Sequence, residues 1–257
     1  MLIFSRFKQI VFLFFGAALM AGGLSLFSPA HAQSISPEMK QNIEDIVRDY
    51  IDDNPQILVD AINKLRQRDA ERRGQRGKAN LGRLRDELEN SKTSPIGGNP
   101  KGDITIVEFS DYRCPFCKRM MPITDKLLKE DGNIRYVYKE FPILGPISTY
   151  ASKAALGVWK MDKKKYIPFH NAVLGSRGDL TEERILGIAE DVGIDTDVLE
   201  KEINSPAIER EIRRNIEIAG TLGITGTPAY IIGKRIVPGA MSFEDLRDIV
   251  TDARKEK

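Results

Sequence analysis

Ile104-Thr105-Ile106-Val107-Glu108-Phe109-Ser110-Asp111-Tyr112-Arg113-Cys114-Pro115-Phe116-Cys117 is the stretch on which the chain turns. Ile104 to Phe109 is short, β-rich and bounded by turn formers, the pattern of a buried strand. Lys118 to Asp131 reads as a helix. The two cysteines therefore sit at a strand-to-helix turn, with Cys114 near the helix start. Unpaired amide N–H groups and the positive end of the helix dipole face that sulfur and favour the thiolate, the species that attacks disulfides.

Cys114 and Cys117 are the only cysteines in 257 residues. A zinc site would need about four ligands. No second cysteine pair exists, and the only histidines are His31 and His170, so no metal site is expected. A structural disulfide closing so small a loop would restrict the unfolded chain little. Redox chemistry on the Cys114–Cys117 pair is the reading that remains. It runs on the two sulfurs and calls for no bound cofactor.

Around these residues the chain resembles the DsbA-like branch of the thioredoxin superfamily. Three features carry the resemblance: Cys114-Pro115-Phe116-Cys117 after a strand, Glu108 six residues before Cys114, and Thr227-Pro228 in Gly223-Ile224-Thr225-Gly226-Thr227-Pro228-Ala229-Tyr230. It covers roughly Pro100 to the C-terminus. It implies an α/β thioredoxin fold with a helical insertion, here about 145–224, within a domain spanning 103–257. It also implies Cys114 as an exposed nucleophile, Cys117 as the resolving thiol and Glu108 as a buried acid that moves protons for Cys117. Thr227 and Pro228 become a cis-proline loop that, with Pro115 and Phe116, meets substrate. Pro228 lacks an N–H, which leaves the backbone groups of Thr227 free to align a substrate strand. Phe116 replaces the histidine of the strongly oxidising Cys-Pro-His-Cys motif. That departure leaves isomerase-type exchange, dithiol oxidation and dedicated reduction open.

The bulk numbers agree with a folded, globular chain. The chain is 41% hydrophobic and 30% charged, enough for a real core. Arg6 and Lys8 are the only Lys or Arg in the first 32 residues; beyond them 37 basic residues face 37 acidic ones. Nothing global points to nucleic acid. Met1 to Ala32 has a positive start, an apolar run from Ile10 to Ala21 and Ala30-His31-Ala32, the form of a secretory signal cleaved after Ala32. An uncleaved anchor is the rival reading, since Ile10 to Phe27 is almost long enough to span a bilayer. Export places the pair in an oxidising compartment, the periplasm of a Gram-negative cell. The partners then expected are exported client proteins with thiols or disulfides and a membrane redox protein.

Residues 33–90 read as a helical N-terminal region. Ser36-Pro37 is an N-cap and N1, Ile43, Ile46, Val47, Tyr50 and Ile51 recur along one helical face, and Asn54-Pro55 starts a second helix. From Lys64 to Arg85 there are nine basic and two acidic residues, without the interleaved aromatics of a nucleic-acid surface; this is a solvated face or connector. Gly74, Gly77 and Gly82 loosen it. Two short helices rarely form a core of their own, so they either dock on the redox domain, bind a partner or meet copies of themselves; the segment resembles the N-terminal region of trimer-forming, ScsC-like members of the family, which implies a homo-oligomer. ScsC-like proteins are linked to copper tolerance, so copper binding by the same cysteine pair is the alternative function. Adjacent Met120 and Met121 supply no methionine cluster for it. Ser91 to Gly102 reads as a linker, and His170 as a packed or surface histidine.

Overall fold

The computed structural model describes residues 36–256. The expected signal sequence at 1–32 lies outside the described residues. The chain divides into two compact units, one ending at Leu58 and one beginning at Val59.

The described part of the first unit is dominated by α1 (Pro37–Asp53). Ser36 caps it by accepting the Met39 N–H at 3.1 Å, Pro37 occupies its first turn and Asn54 closes it. The apolar face read from the sequence is exposed: Ile46 is 67% and Tyr50 59% accessible.

The second unit is built on a five-stranded sheet in the order β1-β3-β2-β4-β5, formed by β1 (Ile96–Gly98), β2 (Ile104–Ser110), β3 (Ile134–Glu140), β4 (Ala229–Ile232) and β5 (Arg235–Pro238). β2 and β3 are parallel and joined through α3 (Pro115–Asp131); every other pairing is antiparallel. β2 is buried on both faces, which is why it reads as a near-continuous apolar run. Between β3 and β4 the chain inserts α4 (Pro146–Met161), α5 (Tyr166–Gly175), α6 (Glu182–Asp191), α7 (Thr196–Ile203) and α8 (Pro206–Thr221). α9 (Phe243–Lys255) ends the chain.

Two apolar clusters cover the sheet. On one face Ile106, Tyr136, Tyr138, Tyr230 and Ile232 pack with α3, α5 and α9. On the other, Val107, Phe109, Val137 and Ile231 pack with α8 and with Leu81, Leu84 and Leu88. Those leucines belong to α2 (Gln56–Glu89), a single 34-residue helix that runs through Gly74, Gly77 and Gly82 without a break. The loosening expected of these glycines is absent, because the end of the helix is pinned by burial. Gly77 lies against the loop before β4: an added Cβ there would meet the Leu222 carbonyl oxygen at 2.2 Å. Arg85 donates to the Gly233 carbonyl at 3.1 Å, and Arg214 pairs with Glu87.

The stretch expected as a linker, 91–102, is also more ordered than its composition suggests. Ile96 to Gly98 pairs with β3, and buried Ser94 accepts a hydrogen bond from the buried ammonium of Lys139 at 2.8 Å. Among the described residues no helix is long and apolar enough to cross a membrane.

Candidate active site

The turn after β2 is fixed by Asp111. Its Oδ1 accepts the Arg113 N–H at 2.8 Å and the Ser148 hydroxyl at 2.7 Å, and its Oδ2 accepts the N–H groups of Ile143 and Leu144 at 2.8 and 3.0 Å. Its carbonyl takes the Cys114 N–H at 3.0 Å. One fully buried carboxylate thus ties the cysteine turn to the loop that opens the helical insertion. Sequence reasoning missed it; the available signal was an Asp two residues before an extended-to-helical switch, where an Asx-turn is favoured.

Cys114 is the N-cap of α3, with Pro115 at its first position. Both cysteines are free thiols. Cys114 was expected to be exposed, but only 3% of it is accessible. The cause is the loop before β4: Thr227-Pro228, a cis peptide, lies over the sulfur, and the Cys114 thiol donates to the Thr227 carbonyl oxygen at 3.2 Å. Phe116 is instead the exposed member of the motif, half accessible, with the Arg119 guanidinium 4.8 Å from its ring centroid.

Cys117 faces inward and is 1% accessible. Burial, reinforced by the charge of Glu108, pushes its thiol well above the ordinary range. Glu108 points from β2 toward the same side. It accepts the hydroxyls of Tyr136 at 2.8 Å and Tyr230 at 3.3 Å. Burial drives its carboxyl up to about 7, against the lowering effect of those two hydrogen bonds. Glu108 and Cys117 line one small cavity of about 10 Å³, the room of a single water, which reaches Asp125 and Asn171. A carboxyl that titrates near neutrality beside a thiol that resists ionisation can take and return a proton.

A second buried carboxyl stands one strand away. Glu140 accepts from Tyr112 at 3.1 Å and Tyr166 at 2.8 Å, and burial lifts it to about 8. His170 Nδ1 lies 2.9 Å from the Tyr112 hydroxyl, and burial pushes the imidazole down to about 3, so it is neutral. His170 is thus a packed, hydrogen-bonded residue that borders the Glu108 cavity. Among the described residues no group of three or more His, Cys, Asp or Glu is placed to hold a metal.

The structure therefore brings Cys114, Cys117, Glu108, Thr227 and Pro228 together from three elements, with Pro115 and Phe116 at the mouth. Residues 105–251 match the family described as DSBA-like thioredoxin domain, more than half of the chain. The chain belongs to this DSBA-like family. In front of the DSBA-like domain, residues 40–72 match the Copper resistance protein ScsC N-terminal domain. The DSBA-like fold is shared with the thiol-disulfide exchange protein α-DsbA2 from Wolbachia pipientis, at 35% identity over 70% of this chain and 97% of that one, TM-score 0.65. Proteus mirabilis ScsC in a transitional conformation is similar over 86% of this chain and 100% of its own, at 30% identity and TM-score 0.65. A curated relative, the Na(+)/H(+) antiporter NhaA 1 of Salinispora arenicola, is 28% identical over 62% of this chain, but the chain spans only about a quarter of that protein's length. The DSBA-like domain and its relatives support thiol–disulfide oxidoreductase chemistry for this chain.

Proposed function

We propose that this chain catalyses thiol–disulfide exchange on exported proteins through Cys114 and Cys117. The observation that carries the reading is the position of the Cys114 sulfur, at a helix N-terminus and 3.2 Å from the Thr227 carbonyl. In the oxidised form, a client thiolate attacks Sγ of Cys114. The Cys114–Cys117 bond breaks, a mixed disulfide forms, and the Cys117 sulfur leaves with the electron pair and takes the proton of Glu108. A second client thiolate then attacks the client sulfur of the mixed disulfide and expels Cys114. The client gains a disulfide and the protein holds the two electrons as two thiols. Starting from the reduced form, Cys114 attacks a wrong client disulfide, and the freed client thiolate either closes a different bridge or leaves Cys117 to resolve the intermediate.

Isomerase-type exchange is the preferred direction, with dithiol oxidation second. Phe116 adds no charge to stabilise the reduced form, and the ScsC-like N-terminal segment supports an oligomer that would present several sites to one client. The compartment proposed is the periplasm, reached by cleavage after Ala32, with a membrane redox protein restoring the pair. A Cys117→Ala variant given a disulfide-bonded peptide should accumulate a mixed disulfide at Cys114, the other half of the peptide leaving as its thiol, and Cys114→Ser should not. Turnover of a dithiol peptide by Cys114→Ser would end this assignment. Scrambled-protein refolding compared with dithiol-peptide oxidation separates isomerase from oxidase.

Copper binding is a second reading, supported by the ScsC N-terminal match. Two adjacent thiolates suit Cu(I). Titration of the reduced protein with Cu(I), against a Cys114→Ala control, decides it; equal uptake by both would remove the pair from the reading.

A further inference from the structure

Beside the cysteine turn lies a groove of about 560 Å³ that the exchange reading does not by itself explain. One wall is the middle of α2, the opposite side is Phe116 and Arg119, and the floor is the run from Leu222 to Ala229. The wall is fixed in place. An added Cβ at Gly77 would strike the Leu222 carbonyl at 2.2 Å, and one at Gly223, whose φ is +72°, would meet Arg73 at 3.0 Å. Helix and loop thus touch backbone to backbone.

The floor is largely apolar and the charges are of one sign. Arg73, Lys78 and Arg119 line the groove, and no carboxylate does. Arg119 lies over the Phe116 ring, and Arg73 and Lys78 make no ion pair among the described residues. The lining includes Thr227, whose carbonyl oxygen receives the Cys114 thiol.

We infer that this groove selects client segments in which the reacting cysteine is flanked by Asp or Glu. The inference rests on the exchange reading and adds a substrate class to it. An extended chain laid along Thr227 would bring its cysteine to Cys114 and its neighbouring side chains to Arg73, Lys78 and Arg119. Three unpaired cations facing an apolar floor disfavour a basic segment and accept an acidic one, because like charge brought together costs what opposite charge gains. A polypeptide fits better than a nucleic acid. Phe116 is the single aromatic side chain in the lining, too few for a run of stacked bases, and Thr227 in the lining accepts from a thiol.

The test uses the oxidised full-length protein and single-cysteine peptides with Glu, Ser or Lys on both sides of the cysteine. The rate of mixed-disulfide formation is divided by each peptide's rate with bis(2-hydroxyethyl) disulfide, which removes the effect of flanking charge on the thiol itself. Each of the two flanking charges gains about a factor of two as Glu and loses about as much as Lys, which predicts Glu over Lys by at least about tenfold at low salt. That preference should shrink toward one in about 0.5 M salt. Arg73→Glu/Lys78→Glu should abolish or invert it, and Arg76→Glu/Arg83→Glu, the same charge change elsewhere on α2, should retain it. Equal normalised rates for all three peptides in the unmodified protein at low salt would overturn the inference and leave exchange standing. If no peptide reacts, the exchange reading fails, and fluorescence anisotropy with serine in place of the peptide cysteine still reads the groove. Equal affinities there overturn it. Binding of a single-stranded oligonucleotide that is lost in Arg73→Glu/Lys78→Glu, with no peptide preference, would reassign the groove to nucleic acid.

Discussion

Glu108 is the residue at which stability and chemistry pull against each other. Its carboxyl titrates at about 7 when folded and near 4.5 when the chain is open. The folded protein therefore binds the extra proton between those values. Stability falls as pH rises through that window and is level above it. The ionised form costs about 3 kcal/mol at pH 8. Glu108→Gln keeps the shape, its amide oxygen accepting from one of the two tyrosine hydroxyls and its NH2 donating to the other, so it should be more stable than the natural protein by up to about 3 kcal/mol at pH 8 and by little near pH 4.5. Urea unfolding of the reduced proteins at the two pH values checks this, and an equal gain at both would contradict it. The same variant should slow release of Cys117 in exchange, because no other carboxyl lines that cavity except Asp125 at its outer side. Cys114 and Cys117 were legible in the sequence because their spacing puts both at one strand-to-helix turn, and Glu108 because the resemblance to the DSBA-like family pointed to it. Asp111 and Glu140 were not, since their partners, Ser148 and Leu144 for one and Tyr166 for the other, lie 26 to 37 positions away.

α2 shows how tertiary contact overrides local propensity at the scale of an element. Three glycines and a run of cations read as a loosened connector, yet the helix is continuous, because Leu81, Leu84 and Leu88 give its end a buried face. The glycines are not equivalent. An added Cβ at Gly74 meets nothing within 4 Å, whereas one at Gly77 collides with backbone. Gly74→Ala should therefore stabilise the protein by about 0.5–1 kcal/mol, the ordinary helix gain. Gly77→Ala should destabilise it, since the Leu222 carbonyl cannot move without shifting the loop that carries Thr227. Leu88→Ala, at 1% accessibility, should cost about 2–5 kcal/mol. Thermal unfolding orders the three, and a Gly77→Ala protein as stable as Gly74→Ala would show that α2 is not seated against that loop. The strand Ile96–Gly98 was hidden for a related reason. Gly-Gly next to proline is loop composition, and only the open edge of β3 makes a strand of it.

At the scale of the whole molecule, the exposed large apolar side chains fall mainly in one stretch of sequence, residues 39–65. Met39, Ile43, Ile46, Val47, Tyr50, Leu58, Ile62 and Leu65 are all at least 45% accessible, far more than a monomer scatters elsewhere. The sequence shows the amphipathic period but not what would cover it, because a covering surface is not written in the pattern of the segment it covers. Full burial of each such side chain is worth about 1.5–3 kcal/mol before the cost of association, which is enough to hold copies together. The protein from residue 33 onward should run as an oligomer by light scattering, and Ile46→Asp/Tyr50→Asp should reduce it to a monomer. Deleting residues through 90 is a poorer test, since it also strips Leu81, Leu84 and Leu88 from under the sheet. The charge variant leaves that core intact and so isolates the effect of valency on chemistry. One Cys114 site suffices to oxidise a dithiol peptide, but reshuffling wrong bridges gains from several sites held around one client. The monomerised variant should therefore lose most scrambled-protein refolding while keeping peptide oxidation near its original rate. If refolding activity per site were the same in monomer and oligomer, multivalent display would have no part in the direction of exchange. Isomerase preference would then have to come from the Cys-Pro-Phe-Cys turn alone.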